Sequence, residues 1–96
     1  MGIDISVTVG EPSKTRRSVD RGLDVPVTIT IDEEVTRGSV TLVPAEDGSP
    51  VYAAWGKPED WVSEELLGAL RDLDETDRRE ALDDIEAAAS EVCGEP

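Results

Sequence analysis

The chain has 96 residues, with 23 Asp or Glu against 9 Lys or Arg, no histidine and one cysteine, which gives a formal net charge of -14. That length holds one domain, residues 1–96, with one modest core, and the charge is well beyond the magnitude of about 2–8 that keeps a small domain soluble. The lack of histidine removes Ser-His-Asp and Cys-His catalysis, and a lone Cys93 excludes both an internal disulfide and the usual zinc ligand sets.

The first part, residues 1–56, reads as strands. Ile3, Ile5, Val7 and Val9 alternate with Asp4, Ser6 and Thr8, the period of a strand with one wet face. Residues 14–21 carry Lys14, Arg16, Arg17 and Arg21 in a basic connection. Val25, Val27, Ile29 and Ile31 repeat the alternation, and Pro26, which cannot donate a ladder hydrogen bond, predicts an edge strand or a strand start. Residues 32–38 read as a hairpin connection, Val40 and Leu42 as a third strand, residues 45–50 as a turn, and Val51, Ala53 and Trp55 as a fourth strand.

The second part, residues 57–93, reads as two helices. Pro58 suits a first helical position, and Glu59 and Asp60 suit a first turn. Trp61, Val62, Leu66, Leu70 and Leu73 then form one apolar stripe. Asp74 is a good cap for a second helix whose stripe is Ala81, Leu82, Ile85, Ala88, Ala89 and Val92, with Gly94 as its stop. The short connection predicts antiparallel packing. The expected fold is therefore α+β: a four-stranded antiparallel meander with a C-terminal two-helix hairpin on one face. Trp55, Trp61 and Tyr52 are expected to anchor a core otherwise made of Val, Ile, Leu and Ala.

The charge is uneven. Residues 57–96 hold 14 acidic and 4 basic side chains, whereas residues 1–56 hold 9 and 5. Asp77, Glu80, Asp84 and Glu91 fall near one stripe of the second helix, away from Leu82 and Ile85; Asp83 neighbours them. On the first helix Asp60 and Glu64 lie one turn apart, and Glu65 and Asp72 two turns apart. Helical neighbours at i, i+4 are about 6 Å apart, close to the separation of phosphates along a DNA strand, whose rise is about 3.4 Å per nucleotide. These nine carboxylates are the candidate partner-binding residues.

Other chemistry is poorly served. The segment from Asp72 to Asp77 has a calcium-loop flavour, but Asp77 stands where such a loop needs Gly and Asp83 where it needs Glu. No Gly-rich phosphate loop exists. Arg78 and Arg79 are outnumbered on their helix, so direct nucleic-acid binding is not expected, nor is any cofactor or metal. No stretch is apolar enough to span a membrane, and no leader-like amino terminus is seen, so a cytoplasmic protein, in a host cytoplasm if phage-encoded, is expected. In size, acidity and lack of catalytic motifs the chain resembles the DNA-mimic inhibitors carried by phages and mobile elements, including anti-CRISPR proteins. That resemblance implies a non-enzymatic inhibitor whose carboxylates imitate phosphates and occupy a basic nucleic-acid-binding partner such as a CRISPR-Cas effector. Two other readings stand beside it. Low lysine with abundant Asp, Glu, Val, Thr and Ala suits a salt-adapted domain, and acidity also suits an antitoxin or immunity protein that neutralises a basic toxin.

Overall fold

The computed structural model describes residues 4–14, 22–45 and 51–94. Its antiparallel sheet contains β1 (Ile5–Val9), β2 (Ser13–Lys14), β3 (Leu23–Ile31), β4 (Glu34–Pro44) and β5 (Tyr52–Ala53). The spatial order is β1-β3-β4-β5, with β2 also on β3. Three helical segments follow: α1 (Pro58–Trp61), α2 (Glu64–Arg71) and α3 (Glu75–Gly94). The α+β class and the meander match the reading of the sequence, but several local expectations do not. Of the basic connection, Lys14 lies on β2, and Arg16, Arg17 and Arg21 lie outside the described residues, as does most of the turn at residues 45–50.

The alternation in β3 sends Val25, Val27 and Ile29 to one face, where they are fully buried with Val40 and Leu42 of β4. Trp61, Val62, Leu66 and Leu70, together with Ala81, Ile85 and Ala89 of α3, close over them. The opposite face carries Ser6, Thr8, Thr28, Thr30 and Arg37, none of them buried. Thr41 is the exception on that face: it is 2% exposed and donates its hydroxyl to Asp24 Oδ1 at 2.6 Å.

Pro26 is not on an edge strand. It sits in β3, between β1 and β4, opposite Ser39. The fold tolerates it because its missing N–H would point at the β1 side, where the neighbouring strand is interrupted. Val9 pairs with Val27, and the next pair on that side is Ser13 with Asp24. One strand advances one residue more than the other, as in a bulge. Only the Pro26 carbonyl is used there, accepting from the Gly10 N–H at 2.9 Å.

The hairpin between β3 and β4 is also tighter than residues 32–38. Only Asp32 and Glu33 turn, both with positive φ (48° and 74°), and Ile31 pairs with Glu34. This is the φ signature of the two-residue turn whose twist matches flanking strands. β4 is consequently eleven residues long, not the short strand centred on Val40 and Leu42. The fourth strand, by contrast, shrinks to Tyr52–Ala53.

The first helix is broken. Val62 and Ser63 are extended, with φ/ψ of -110°/138° and -67°/156°. Val62 bridges to Val40, the Ser63 N–H donates to the Ser39 carbonyl at 2.9 Å, and the Ser39 N–H donates to Ser63 Oγ at 3.1 Å. Two residues thus leave helical geometry to pair with the outer edge of β4, so the helical part has three segments where a two-helix hairpin was expected. Farther along that edge the Trp55 indole N–H donates to the Thr41 carbonyl at 3.1 Å, β5 covers Val43, and the Ala45 N–H reaches the Val51 carbonyl at 2.8 Å. The two tryptophans therefore differ in role. Trp61 is a core side chain, 5% exposed, while half-buried Trp55 seals an edge.

This contact is close enough to require glycine at residue 38. A Cβ there would come 2.6 Å from Leu66 Cγ and would strike Ser63 Oγ. Gly38→Ala is expected to cost about 1–3 kcal/mol through overpacking, read as a fall in the urea midpoint at constant slope. Glu33→Gly is expected to do the reverse, raising the melting temperature by about 4–8 °C for each kcal/mol of left-handed strain relieved.

Candidate acidic binding surface

The helix that carries the largest acidic group is fixed at its start by Asp74, whose Oδ1 accepts the Asp77 N–H at 2.8 Å. Arg78 turns back to the end of α2. Its guanidinium donates to the carbonyls of Leu73 at 2.9 Å and of Leu70 and Arg71 at 3.4 Å. A cation at a helix C-terminus is favourable there, and this use keeps Arg78 away from the carboxylates of α3.

At about 100° per residue, Ala81, Ile85 and Ala89 share the buried face of α3. Glu86 and Ser90 occupy one flank. Glu86 Oε2 accepts the Ala54 N–H at 2.7 Å, and the Ser90 hydroxyl donates to the Tyr52 carbonyl. These bonds tie that flank to the β5 side of the sheet. Asp77, Glu80, Asp84 and Glu91 lie on the opposite flank. Since α3 packs against β1 as well, and β1 and β5 end the strand order, this row faces the β1 side. It spans about 21 Å at a rise of about 1.5 Å per residue. Asp77 is half-buried and the other three are exposed.

The remaining five candidates lie elsewhere. Asp83 is exposed on the outer face of α3, near Arg79. Asp72 borders an open recess of about 390 Å³ beside the β3–β4 hairpin, with Asp32, Glu34, Thr36 and Gly68. Glu65 is exposed on the same flank of α2 as Asp72, while Glu64 shares the other flank with Arg71. Asp60 has a structural use, accepting the Lys57 N–H at 2.8 Å and so capping α1. The structure therefore groups four of the nine in one row, and places Asp72 with the hairpin acids Asp32 and Glu34, which the sequence reading did not single out. The available signal for those two was their position in a turn between alternating strands. Glu86 is likewise an anchor outside the nine, and its place on the half-buried side of α3 is the signal for it.

Neutralisation is sparse. Among the described residues one ion pair is formed, Arg79 with Glu75 at 3.9 Å, between side chains that are 76% and 87% exposed. Such a pair contributes little. No group of three or more His, Cys, Asp or Glu side chains among the described residues is placed to hold a metal ion. Cys93 is buried and free, and burial pushes its thiol pKa up, which makes it a poor nucleophile. No helix among the described residues is long and apolar enough to cross a membrane. Comparison of the chain with protein-family models, with curated proteins and with solved structures found no match.

So many unpaired carboxylates repel one another in the folded state. The melting temperature is expected to rise by several degrees between about 0.01 M and about 1 M NaCl, as the screening length contracts from about 30 Å to about 3 Å. A melt insensitive to salt would show that the carboxylates are too dispersed to interact.

Proposed function

We propose that this protein is a non-enzymatic acidic binding protein whose α3 row imitates nucleic-acid phosphates and occupies the basic channel of a nucleic-acid-binding partner, such as a CRISPR-Cas effector. The observation that carries this reading is the unneutralised row Asp77, Glu80, Asp84 and Glu91 on one flank of a twenty-residue helix. A helix of that length, packed on the core through Ala81, Ile85 and Ala89, fixes the backbone positions from which the carboxylates project, which lowers the entropy lost on binding. Of the basic side chains of α3, Arg78 is engaged by backbone carbonyls, and among the described residues neither Arg78 nor Arg79 forms an ion pair with the row. Glu64, Glu65, Asp72 and Asp83 extend the negative surface around α2 and the outer side of α3, and they act by steering rather than by contact.

The dispersal of those four residues, with Asp32, Glu33 and Glu34 at the hairpin, gives one specific reason to keep a second reading, a salt-adapted domain whose carboxylates retain hydration. The two readings differ in dilute buffer. A phosphate mimic is folded there and only gains stability with salt, whereas a salt-adapted domain is largely unfolded until salt is added.

The direct test is charge reversal, Asp77→Lys with Glu80→Lys and Asp84→Lys, in a competition assay against DNA bound by a Cas effector or another basic DNA-binding complex. Inhibition is expected to weaken by about 100-fold, and inhibition by the original chain to fade steeply with salt. Unchanged inhibition by the triple variant would falsify the phosphate-mimic reading.

A further inference from the structure

The two outer edges of the sheet are treated differently. The edge of β4 is covered at Ser39, Thr41, Val43 and Ala45 by the contacts described above, and its uncovered start is flanked by Glu33, Glu34 and Arg37. Among the described residues no strand covers the edge of β1, and the strand itself carries no charge. The carbonyl of Asp4 accepts the Asp32 N–H and the N–H of Gly10 donates to Pro26, so the even-numbered residues of this strand face β3. By the alternation of an antiparallel ladder, the N–H and C=O groups of Ile5, Val7 and Val9 point away from the sheet. Among the described residues no strand pairs with them. The strand reads Ile-Ser-Val-Thr-Val, with no charge and no proline, in a chain where 33% of residues are charged. Native sheets normally blunt such an edge with lysine, proline or a covering element. Ile5, Val7 and Val9 are half-buried, their side chains packed against the core on the face that α3 covers, while their backbone groups point out of the sheet edge.

We propose that this edge is a docking strand, and that it takes an extended Lys/Arg-bearing segment of a basic protein, which adds to the sheet beside β1. Charge selects that occupant. The row Asp77, Glu80, Asp84 and Glu91 lies on the flank of α3 that faces this same edge, so an added strand would lie below four carboxylates. Lysine or arginine side chains on its α3-facing side would meet them. A second copy of this chain would instead bring another net charge of -14 and a second acidic row to the joint. The edge supplies short-range directional hydrogen bonds through Ile5, Val7 and Val9, and the row supplies the preference for a cationic strand. This inference rests on the acidic-surface reading given above and adds to it the form in which the partner is recognised.

The test uses the whole protein and two synthetic peptides. One is an extended peptide of alternating Lys and Val; the other has the same sequence with every backbone amide N-methylated, which preserves charge but removes the hydrogen-bond donors of both strand edges. Amide hydrogen exchange at Ile5, Val7 and Val9, read by NMR in low salt, is expected to slow by about tenfold or more with the first peptide. The methylated peptide is expected to leave that exchange unchanged. Val7→Pro is expected to abolish the protection while keeping the β1–β3 ladder, because the N–H it removes points away from β3. If that variant fails to fold, the methylated peptide on the unaltered protein still decides the matter. Binding that perturbs the α3 carboxylates without protecting Ile5, Val7 and Val9 would overturn the docking edge and leave the acidic-surface reading standing. Protection that appears without peptide and grows with protein concentration would assign the edge to a second copy and overturn the proposal. Failure of both peptides to bind would count against the edge and the acidic surface together.

Discussion

The pairing of Val62 and Ser63 with the edge of β4 organises the rest of the molecule. A continuous helix through these residues would keep its backbone hydrogen bonds to itself and leave the Ser39 N–H and C=O without protein partners. Breaking it costs a turn of helix but satisfies those two groups and brings the chain against the sheet at Gly38. Trp61, Val62 and Leu66 then enter the core from three successive backbone conformations, helical, extended and helical. Because α1 and α2 are held against β4, α3 is left to cover β3 and β1, and its length carries the acidic row along that side. The contact that seals one edge thus determines which edge stays open.

How far this could be read from the sequence depends on whether each signal was local. The strand at Val25, Val27, Ile29 and Ile31 was legible because alternation reports a buried face directly. So was the capping of α3 by Asp74 and the row on that helix, since both follow from spacing along a single element. The helix break was hidden by its own periodicity. Val62, Leu66, Leu70 and Leu73 continue a helical stripe across it, and neither Pro nor Gly marks residues 62–63. The one local hint was Ser63, a good N-cap residue. The tight turn was obscured for a related reason. Asp32 and Glu33 adopt left-handed φ that Asn and Gly usually supply, so the chemistry of the turn was absent although its geometry was present.

Pro26 misled the reading in an instructive way. The rule that proline avoids central strands concerns the missing donor, not the residue's place in the sheet order. Where the adjacent strand bulges, no acceptor waits for that donor, and a central position becomes available. The Pro26 ring also lies 2.8 Å from where a Cβ on Gly10 would stand, so the glycine and the proline are matched across the bulge. Neither residue alone announces this; it emerges from the register of the two strands.

The open edge and the acidic field are best understood together. A bare, uncharged β-branched edge invites pairing with any other strand, including its own copy, and most proteins suppress this within the strand itself. Here the strand itself carries neither charge nor proline, while the chain has a net charge of -14 and a row of carboxylates lies along the same side. Repulsion of that kind discriminates by charge instead of by shape. It opposes self-association and acidic segments while admitting basic ones, whereas an edge proline would exclude all strands alike. In the docking-edge proposal, the acidity that costs stability in the folded state therefore serves two ends at one place, keeping an exposed edge single and restricting what can be added to it.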